Sequence, residues 1–413
     1  MKIRILGTPA SSAAIAALLS TGLIFAACSV GDGSTFGDDD DDGAGGSTST
    51  STSTSTSSTG FGGNFDPGDA GTGNTDTCNS GPNEDYDQDG FTAAEGDCND
   101  CDENANPGAV EVPTDPNDPE ANPADEDCDG EIDEAPTYCD ANIDIANVDP
   151  FQAAAAIDLC ATTTSQDKTW GVINAQYVRA NGGAMSPGLQ TGIIDMFGPN
   201  VPPRAGGRVL GLSSGHARTP SHPSPCGSLT CMMSGPGQAP PNFPQDVPNC
   251  SGAQDINDDV ALELEIRAPT NATGYSFDFT FYSFEYPEWV CTSFNDQFIA
   301  LVNPPPQGAI HGNISFDSQS NPVSVNIAFF EVCPGCPLGT AELTGTGFDI
   351  WDDAGATGWL ITQAPIEGGD VFTIRYAIWD TGDAAWDSTV LVDNFQWIAD
   401  AGTVTVGTLP VPK

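Results

Sequence analysis

Basic residues are scarce in this chain. Its 413 residues include 10 lysines and arginines against 58 aspartates and glutamates, which gives a formal net charge of −48 at pH 7. No lysine or arginine occurs between Arg4 and Lys168. Because nucleic acids and anionic membrane surfaces are bound through basic protein faces, the composition argues against both as partners. An acidic surface suits divalent cations or a saline exterior instead.

Long apolar segments are missing after the first residues. A basic start, MKIR, precedes an apolar run from Ala13 to Ala27, and this run ends at Cys28. A short segment of this kind is typical of a secretory signal peptide, here residues 1–27, rather than of a membrane-spanning helix. FAAC, which ends at Cys28, resembles a bacterial lipobox and implies a lipid on that cysteine. The alternative is ordinary signal cleavage with a soluble secreted product.

The residues after Cys28 offer little to bury. Ser29 is a small uncharged residue, which is similar to the sorting pattern of outer-membrane lipoproteins. Asp38 to Asp42 form a block of like charge, and Ser47 to Thr59 contain only serine and threonine. We therefore expect residues 28–77 to be a disordered tether that holds the folded part at the cell surface, with the outer membrane as its lipid-bound partner.

The cysteine count also indicates export. There are 13 cysteines, and removing Cys28 leaves an even number for an oxidising compartment. Two pairs match C-x-x-C, but Pro337 after Cys336 argues against a redox helix, so disulfides are favoured over redox or zinc chemistry. The pairing cannot be deduced from the sequence. The disulfide candidates are Cys78, Cys98, Cys101, Cys128, Cys139, Cys160, Cys226, Cys231, Cys250, Cys291, Cys333 and Cys336.

Residues 78–137 are acidic and poor in large apolar residues, so this module needs disulfides or a metal to fold. It contains D-x-D-x-D-G twice, beginning at Asp85 and at Asp125. Alternating aspartates converge on one centre and the glycine permits a sharp turn, which is typical of a Ca²⁺ loop. Neither copy has the closing acid of an EF-hand at its twelfth position. The predicted ligands are Asp85, Asp87, Asp89, Glu95, Asp97 and Asp100 in the first loop, and Asp125, Asp127, Asp129 and Asp133 or Glu134 in the second.

GDCNDCDENANPGAVEV (Gly96 to Val112) and DEDCDGEIDE (Asp125 to Glu134) resemble the metal-binding repeat of the MopE type, which occurs in surface proteins of Gram-negative bacteria. The family name suggests copper. Copper prefers imidazole and sulfur ligands, and all three histidines lie outside the module, so we expect calcium and consider copper unlikely. A copper-binding surface protein is retained as an alternative function, and a solvated acidic linker as the alternative structure.

From residue 138 the composition changes to aromatic and β-branched. Asp149-Pro150 predicts the N-cap and first position of one short helix. Period-2 alternation then recurs between turns, for example in VALELEIR and YSFDFTFYS. This pattern predicts a mainly β fold, an antiparallel β-sandwich of jelly-roll type over residues 138–403, followed by a C-terminal tail, 404–413.

Three stretches closely resemble the choice-of-anchor L domain: DINDDVALELEIRAP (255–269), YSFDFTFYSFEYPEWVCTSFNDQFIALV (275–302) and IRYAIWDTGDAAWDSTVLVDNFQW (374–397). The resemblance implies an exported domain that is carried by varied surface anchors. The acids in these stretches suggest a second cation site, and turn chemistry is the alternative. The candidate residues are Glu285, Asn295, Asp296, Asp380, Asp383, Asp387 and Asp393.

Enzymatic motifs are weak. Glu285 and Glu288 could form a glycosidase pair, but residues three apart in a strand face opposite sides. GLSSG (211–215) matches G-x-S-x-G, but the residues that follow it are not helical. We therefore predict a non-enzymatic, calcium-binding surface lipoprotein for adhesion, matrix or ligand binding, with a glycan or protein as ligand. The alternative is an extracellular carbohydrate-active enzyme.

Overall fold

The computed structural model describes residues 80–114, 117, 123–327, 329–399 and 403–412. The predicted signal peptide, Cys28, the tether and Cys78 lie outside the described residues. Within the described ranges, no helix combines the length and hydropathy needed to cross a membrane.

Two antiparallel sheets form the larger part of the molecule and confirm the mainly β sandwich. The strands are β1 (Gly171–Val178), β2 (Thr191–Ile194), β3 (Val209–Ser213), β4 (Ile256–Arg267), β5 (Gly274–Ser283), β6 (Gln297–Asn303), β7 (Val323–Ser324), β8 (Gly355–Ala356), β9 (Leu360–Pro365), β10 (Val371–Thr381), β11 (Ser388–Ile398) and β12 (Gly407–Pro410). One sheet has the strand order β1-β4-β10-β6-β7, and the other has the order β12-β9-β5-β11-β3-β2, with β8 paired to the end of β5.

The main core lies between the sheets and follows from the alternation. Leu262 and Leu264 of β4 and Phe277 and Phe279 of β5 are fully buried in one cluster. Period 2 places such residues on one face, and aromatic cross-strand neighbours then stabilise the pairing. Phe279 and Phe298 illustrate this contact, with ring centroids 5.0 Å apart.

The strand β5 differs from the expectation of one buried face, because all ten of its residues are buried. A second apolar cluster that contains Phe197, Tyr282 and Phe348 covers the outer side of this sheet. The polar positions of β5 are therefore enclosed, and Asp278 is satisfied there by Arg204 Nε at 2.9 Å.

The short helix is confirmed as α1 (Pro150–Ala155), with the Asp149 side chain accepting from Phe151 N at 3.0 Å. Single 3₁₀ turns occur at Ala93–Glu95, Ala341–Leu343 and Phe348–Ile350. Residues 404–413 differ from the prediction of a tail. They contain β12, which pairs with β9 and extends the second sheet by one strand.

The prediction of disulfides is confirmed. Among the described residues, five pairs are formed: Cys98–Cys128, Cys139–Cys160, Cys226–Cys231, Cys250–Cys291 and Cys333–Cys336. Cys101 is disulfide-bonded as well.

The acidic module, residues 80–137, has no strand among its described residues and packs on the sandwich through specific polar contacts. Asn271 Oδ1 accepts a hydrogen bond from Val110 N at 3.0 Å, and Asn271 Nδ2 donates one to Val110 O at 2.8 Å. Lys168 Nζ bonds Gly90 O at 2.6 Å and Glu95 Oε1 at 2.7 Å, and lies 5.2 Å from the centroid of the Phe91 ring. The module is thus held by disulfides and by its contacts with the sandwich rather than by a core of its own.

Candidate cation sites and a tryptophan-bearing loop face

The two D-x-D-x-D-G loops of the module fold alike. In the first loop, the Asp85 carboxylate accepts hydrogen bonds from Gln88 N at 2.7 Å and from Gly90 N at 3.2 Å. Gln88 and Gly90 have φ of 71° and 101°, so the chain turns through the left-handed region at both. This turn brings Asp87 within reach of both Asp85 and Asp89, although these two belong to separate groups of acids.

In the second loop, Asp125 accepts Asp129 N and Gly130 N, each at 3.0 Å. Cys128 and Gly130 have φ of 60° and 96°, which match the first loop. Equal spacing has therefore produced equal backbone geometry in both copies. Acidic oxygens lie within 4.8 Å of one another in four groups: Asp85, Asp87 and Asp100; Asp87, Asp89 and Asp97; Asp125, Asp127 and Asp129; and Glu111, Asp127 and Glu134.

The closing acids differ in part from those expected. Asp97 and Asp100 join the first loop, whereas Glu95 turns away to Lys168. Glu134 joins the second, whereas Asp133 accepts from Thr114 N at 2.9 Å and Thr114 Oγ1 at 2.7 Å.

Glu111 was missed by the sequence reasoning because it precedes the second loop. It accepts Glu126 N at 2.8 Å and Asp133 N at 2.9 Å, which places its carboxylate against the loop. An isolated acid between two valines gave no metal signal.

Crowding of these carboxylates changes their acidity. Burial, with Asp87 and Asp97 adding repulsion, raises the pKa of Asp89 to about 7. Burial, with repulsion from Asp129, raises the pKa of Asp127 to about 6. Oxygen ligands that repel one another in this way suit a hard cation.

A second acidic group lies at one end of the sandwich. We call Glu285, Asp296, Asp380 and Asp387 the buried carboxylate cluster, because their exposed fractions are 2%, 0%, 1% and 4%. Asp296 lies next to β6, Asp380 is in β10 and Asp387 precedes β11. The strand ends of both sheets therefore bring together acids that are up to about one hundred residues apart.

The other residues predicted for this site lie elsewhere or face away. Asn295 accepts a hydrogen bond from Asn326 N at 3.0 Å. Asp383 is exposed, although, besides the larger effect of burial, its charge still contributes to the raised pKa of Glu285. Asp393 is buried in the middle of β11 and accepts Arg204 N at 2.6 Å. The sequence reasoning also missed Asp258, which is fully buried and raises the pKa of Asp387 by repulsion in addition to the larger effect of burial.

Burial dominates the electrostatics of the cluster. It raises the pKa of Asp296 to about 7, although Ser388 and Thr381 donate to that carboxylate. Burial, with repulsion from Asp296, raises the pKa of Glu285 and Asp380 well above their usual values.

Three tryptophans form a row on the loops above this cluster. Trp289 and Trp351 each contact the central Trp386 at 5.6 Å between ring centroids, with interplanar angles of 77° and 62°. Trp351 is 36% exposed, and Ile350 beside it is 49% exposed. Glu288 lies at the same surface, in hydrogen-bond contact with Asp353, and this contact raises the pKa of Glu288.

The enzymatic motifs do not assemble a recognisable centre among the described residues. Glu285 is buried against Asp296, whereas Glu288 is exposed and contacts Asp353. Ser213 is buried and donates to Ser388 O at 3.0 Å, and no helix follows it. His216 contacts Ser224 O at 2.9 Å rather than Ser213.

These features define a disulfide-bonded antiparallel β-sandwich with an elaborate loop end and an acidic module docked on it. The chain belongs to the Choice-of-anchor L domain family, whose model matches residues 172–395, just over half of the chain. Family membership indicates a cell-surface protein. The match does not extend to the acidic module, so its resemblance to MopE-type repeats stays a prediction.

The chain is also similar to a solved structure, TmCBM61 in complex with β-1,4-galactotriose. The identity is 10%, the TM-score is 0.23, and the match covers 55% of this chain and 88% of that one. A likeness this distant carries no argument about function. No match was found among curated proteins.

Proposed function

We propose that the protein is a non-enzymatic cell-surface binding protein whose tryptophan row binds a neutral extracellular glycan. The observation that carries this proposal is the row itself, Trp289, Trp386 and Trp351, on three separate loops. Large apolar rings at a protein surface are typical of recognition sites rather than of a solvated surface.

The chemistry around the row selects the ligand. The three loops, residues 284–296, 341–354 and 382–387, contain no lysine or arginine, so an anionic ligand has no partner there. Glu288, Asp352 and Asp353 supply hydrogen-bond acceptors for hydroxyl donors. A ligand with apolar C–H faces and many hydroxyl groups, such as a neutral polysaccharide, fits this combination.

The glycan proposal is tested on an array of neutral and charged glycans with the full chain made soluble by Cys28→Ser. We expect binding to neutral glycans and a loss of about tenfold or more in Trp351→Ala, because Trp351 is the most exposed ring of the row and an aromatic anchor contributes about 1.4 kcal/mol or more. Trp170→Ala is the matched control, since Trp170 packs on Trp397, outside the three loops. Unchanged binding by Trp351→Ala, or no neutral ligand at all, would contradict the proposal.

Calcium in the acidic module is the second part of the proposal. Oxygen groups within 4.8 Å of one another, and buried oxygens of Asp87 and Asp89 without a hydrogen-bond partner, support it. Calcium would rigidify the module between the tether and the sandwich. The oxygen-only donor set gives copper no comparable support.

Hydrogen exchange of residues 80–137 in calcium and in chelator tests this part. We expect calcium to protect these amides, by about 2.7 kcal/mol at a concentration about one hundred times Kd. Asp127→Asn should weaken the protection, and Glu131→Gln, an exposed acid outside the four groups, should not. Equal exchange in calcium and in chelator would exclude a calcium role.

Attachment through a lipid on Cys28 at the outer membrane completes the proposal. Its support is the apolar run that ends in FAAC. Cys28→Ser should move the protein from the membrane to the soluble fraction, and unchanged fractionation would exclude the lipid.

A further inference from the structure

The buried carboxylate cluster has no positive partner in the described part of the chain. The ion pairs there join other residues: Lys168 with Glu95, Arg179 with Asp259, Arg204 with Asp278, Arg375 with Glu263, and His222 with Asp195. Buried charges are normally paired or bound to a metal, because leaving an isolated carboxylate out of water is very costly.

The cluster is also short of hydrogen-bond donors. Asp296 is satisfied by Thr381 N at 2.9 Å and Ser388 Oγ at 2.6 Å. In contrast, both oxygens of Asp380 and Oε2 of Glu285 have no partner with hydrogen-bond geometry. The Ser214 hydroxyl lies beside Asp380 but donates to Ser388 O at 3.3 Å. Buried acceptors without donors are rare in folded proteins and point to something that binds them.

The carboxyl groups face one another. Glu285 and Asp380 each approach the Asp296 carboxyl within hydrogen-bonding reach. Two carboxylates adopt such contacts only when a proton or a cation lies between them. Asp296 thus lies in contact with both of the other acids, and protons alone would have to occupy both contacts, whereas one divalent cation could neutralise the charge that the three share.

We propose that Asp296, Glu285 and Asp380 bind a divalent cation of the calcium class. The ligands are oxygens only, which suits a hard cation, and they come from the ends of strands in a packed sandwich. Asp387 lies close enough to add its charge to the site. This cation would tie the ends of β5, β6 and β10, and so fix the loops that carry Trp289 and Trp386.

The number of bound calcium ions gives the first test. The soluble Cys28→Ser chain with Asp87→Asn and Asp127→Asn has a disabled module, and we expect it to retain about one Ca²⁺ in equilibrium dialysis. Adding Asp380→Asn should remove this ion or weaken its affinity by about tenfold or more. Asp349→Asn, an exposed acid of the neighbouring loop 341–354, is the matched control and should leave the affinity unchanged.

Terbium luminescence excited through tryptophan locates the ion. The module has no tryptophan, whereas Trp386 directly precedes Asp387. Emission should persist in the chain with the disabled module and fall in Asp380→Asn. Glu285→Gln replaces Asp380→Asn if the latter does not fold. The number of calcium ions bound by the chain with the disabled module is measured without either variant, so this test does not depend on their folding.

Two results would overturn the proposal. One is a chain with the disabled module that binds no calcium. The other is an Asp380→Asn chain that binds as before and is as stable in chelator as its parent, which would mean that protons neutralise the cluster. Glycan binding is measured separately, so a failed cation site and a failed glycan site are distinguishable.

Discussion

In the acidic module, Asp85 and Asp125 each accept two backbone N–H groups from their own loop, whereas Asp380 in the sandwich accepts none. The module obtains its donors from residues up to five positions away. The cluster obtains its neighbours from strands far apart in the sequence. Local spacing can therefore prepare an acidic loop on its own, while the buried site exists only when both sheets are formed.

The largest difference between the two regions should lie in core packing. Phe279→Ala removes a fully buried ring from the sandwich and should lower the free energy of unfolding by about 3–5 kcal/mol. Tyr86→Ala, 59% exposed in the module, should change it little. Denaturant titration of the soluble chain measures both. Similar losses from the two variants would mean that the module shares the core of the sandwich.

Removal of disulfides, in contrast to the ring substitutions, should destabilise the module more than the sandwich. Cys98 and Cys128 are 30 residues apart, so Cys98→Ser with Cys128→Ser should destabilise the module by about 3.5 kcal/mol through loop entropy. The amides of 80–137 should then exchange faster while those of β4 and β5 keep their protection. Cys226→Ser with Cys231→Ser removes a disulfide between residues only 5 apart, so it should lower the stability of the sandwich by only about 2 kcal/mol. Simultaneous loss of protection in the module and the sandwich would refute independent opening.

The last difference between the two regions should be one of sign, in how their stability changes with pH. Burial raises the pKa of Asp393 to about 8 from the unfolded value of 3.8, so the folded chain keeps this proton where the unfolded chain loses it. Its contribution to stability is therefore lost as pH rises through this window, and Asp393→Asn should flatten the slope.

Glu95 in the module should act in the opposite direction. Its hydrogen bond from Lys168 lowers the pKa of Glu95, so its contribution is present at neutral pH and is lost as pH falls through the lowered pKa. Glu95→Gln should remove this acid-side loss. Thermal unfolding across pH measures both variants, and slopes of the same sign would contradict the comparison.

The strands and the helix were predictable because they depend on short-range patterns. Alternation in residues 260–267 and 275–283 predicted β4 and β5, and Asp149-Pro150 predicted the start of α1. Burial of both faces of β5 was not predictable, because the covering segments come from residues 194–201 and 343–356.

The sites divide in the same way. The D-x-D-x-D-G spacing predicted two convergent loops, but not that Glu111 lies against the second. Asp387 and Asp393 were grouped because they are close in sequence. They are six residues apart along an extended strand, roughly 20 Å, so they cannot share a site. The tryptophan row joins three loops that only the fold brings together.

The position of Lys168 affects how readily extracellular proteases can cut this chain. It is the first lysine or arginine after Arg4, so trypsin-like proteases find no cleavage site in the whole stretch between them. Its side chain is engaged by Glu95 and Gly90 O, and proteases need an accessible, yielding segment to cut. The composition of residues 5–167 therefore removes, from more than a third of a surface protein, every bond that trypsin-like specificity recognises.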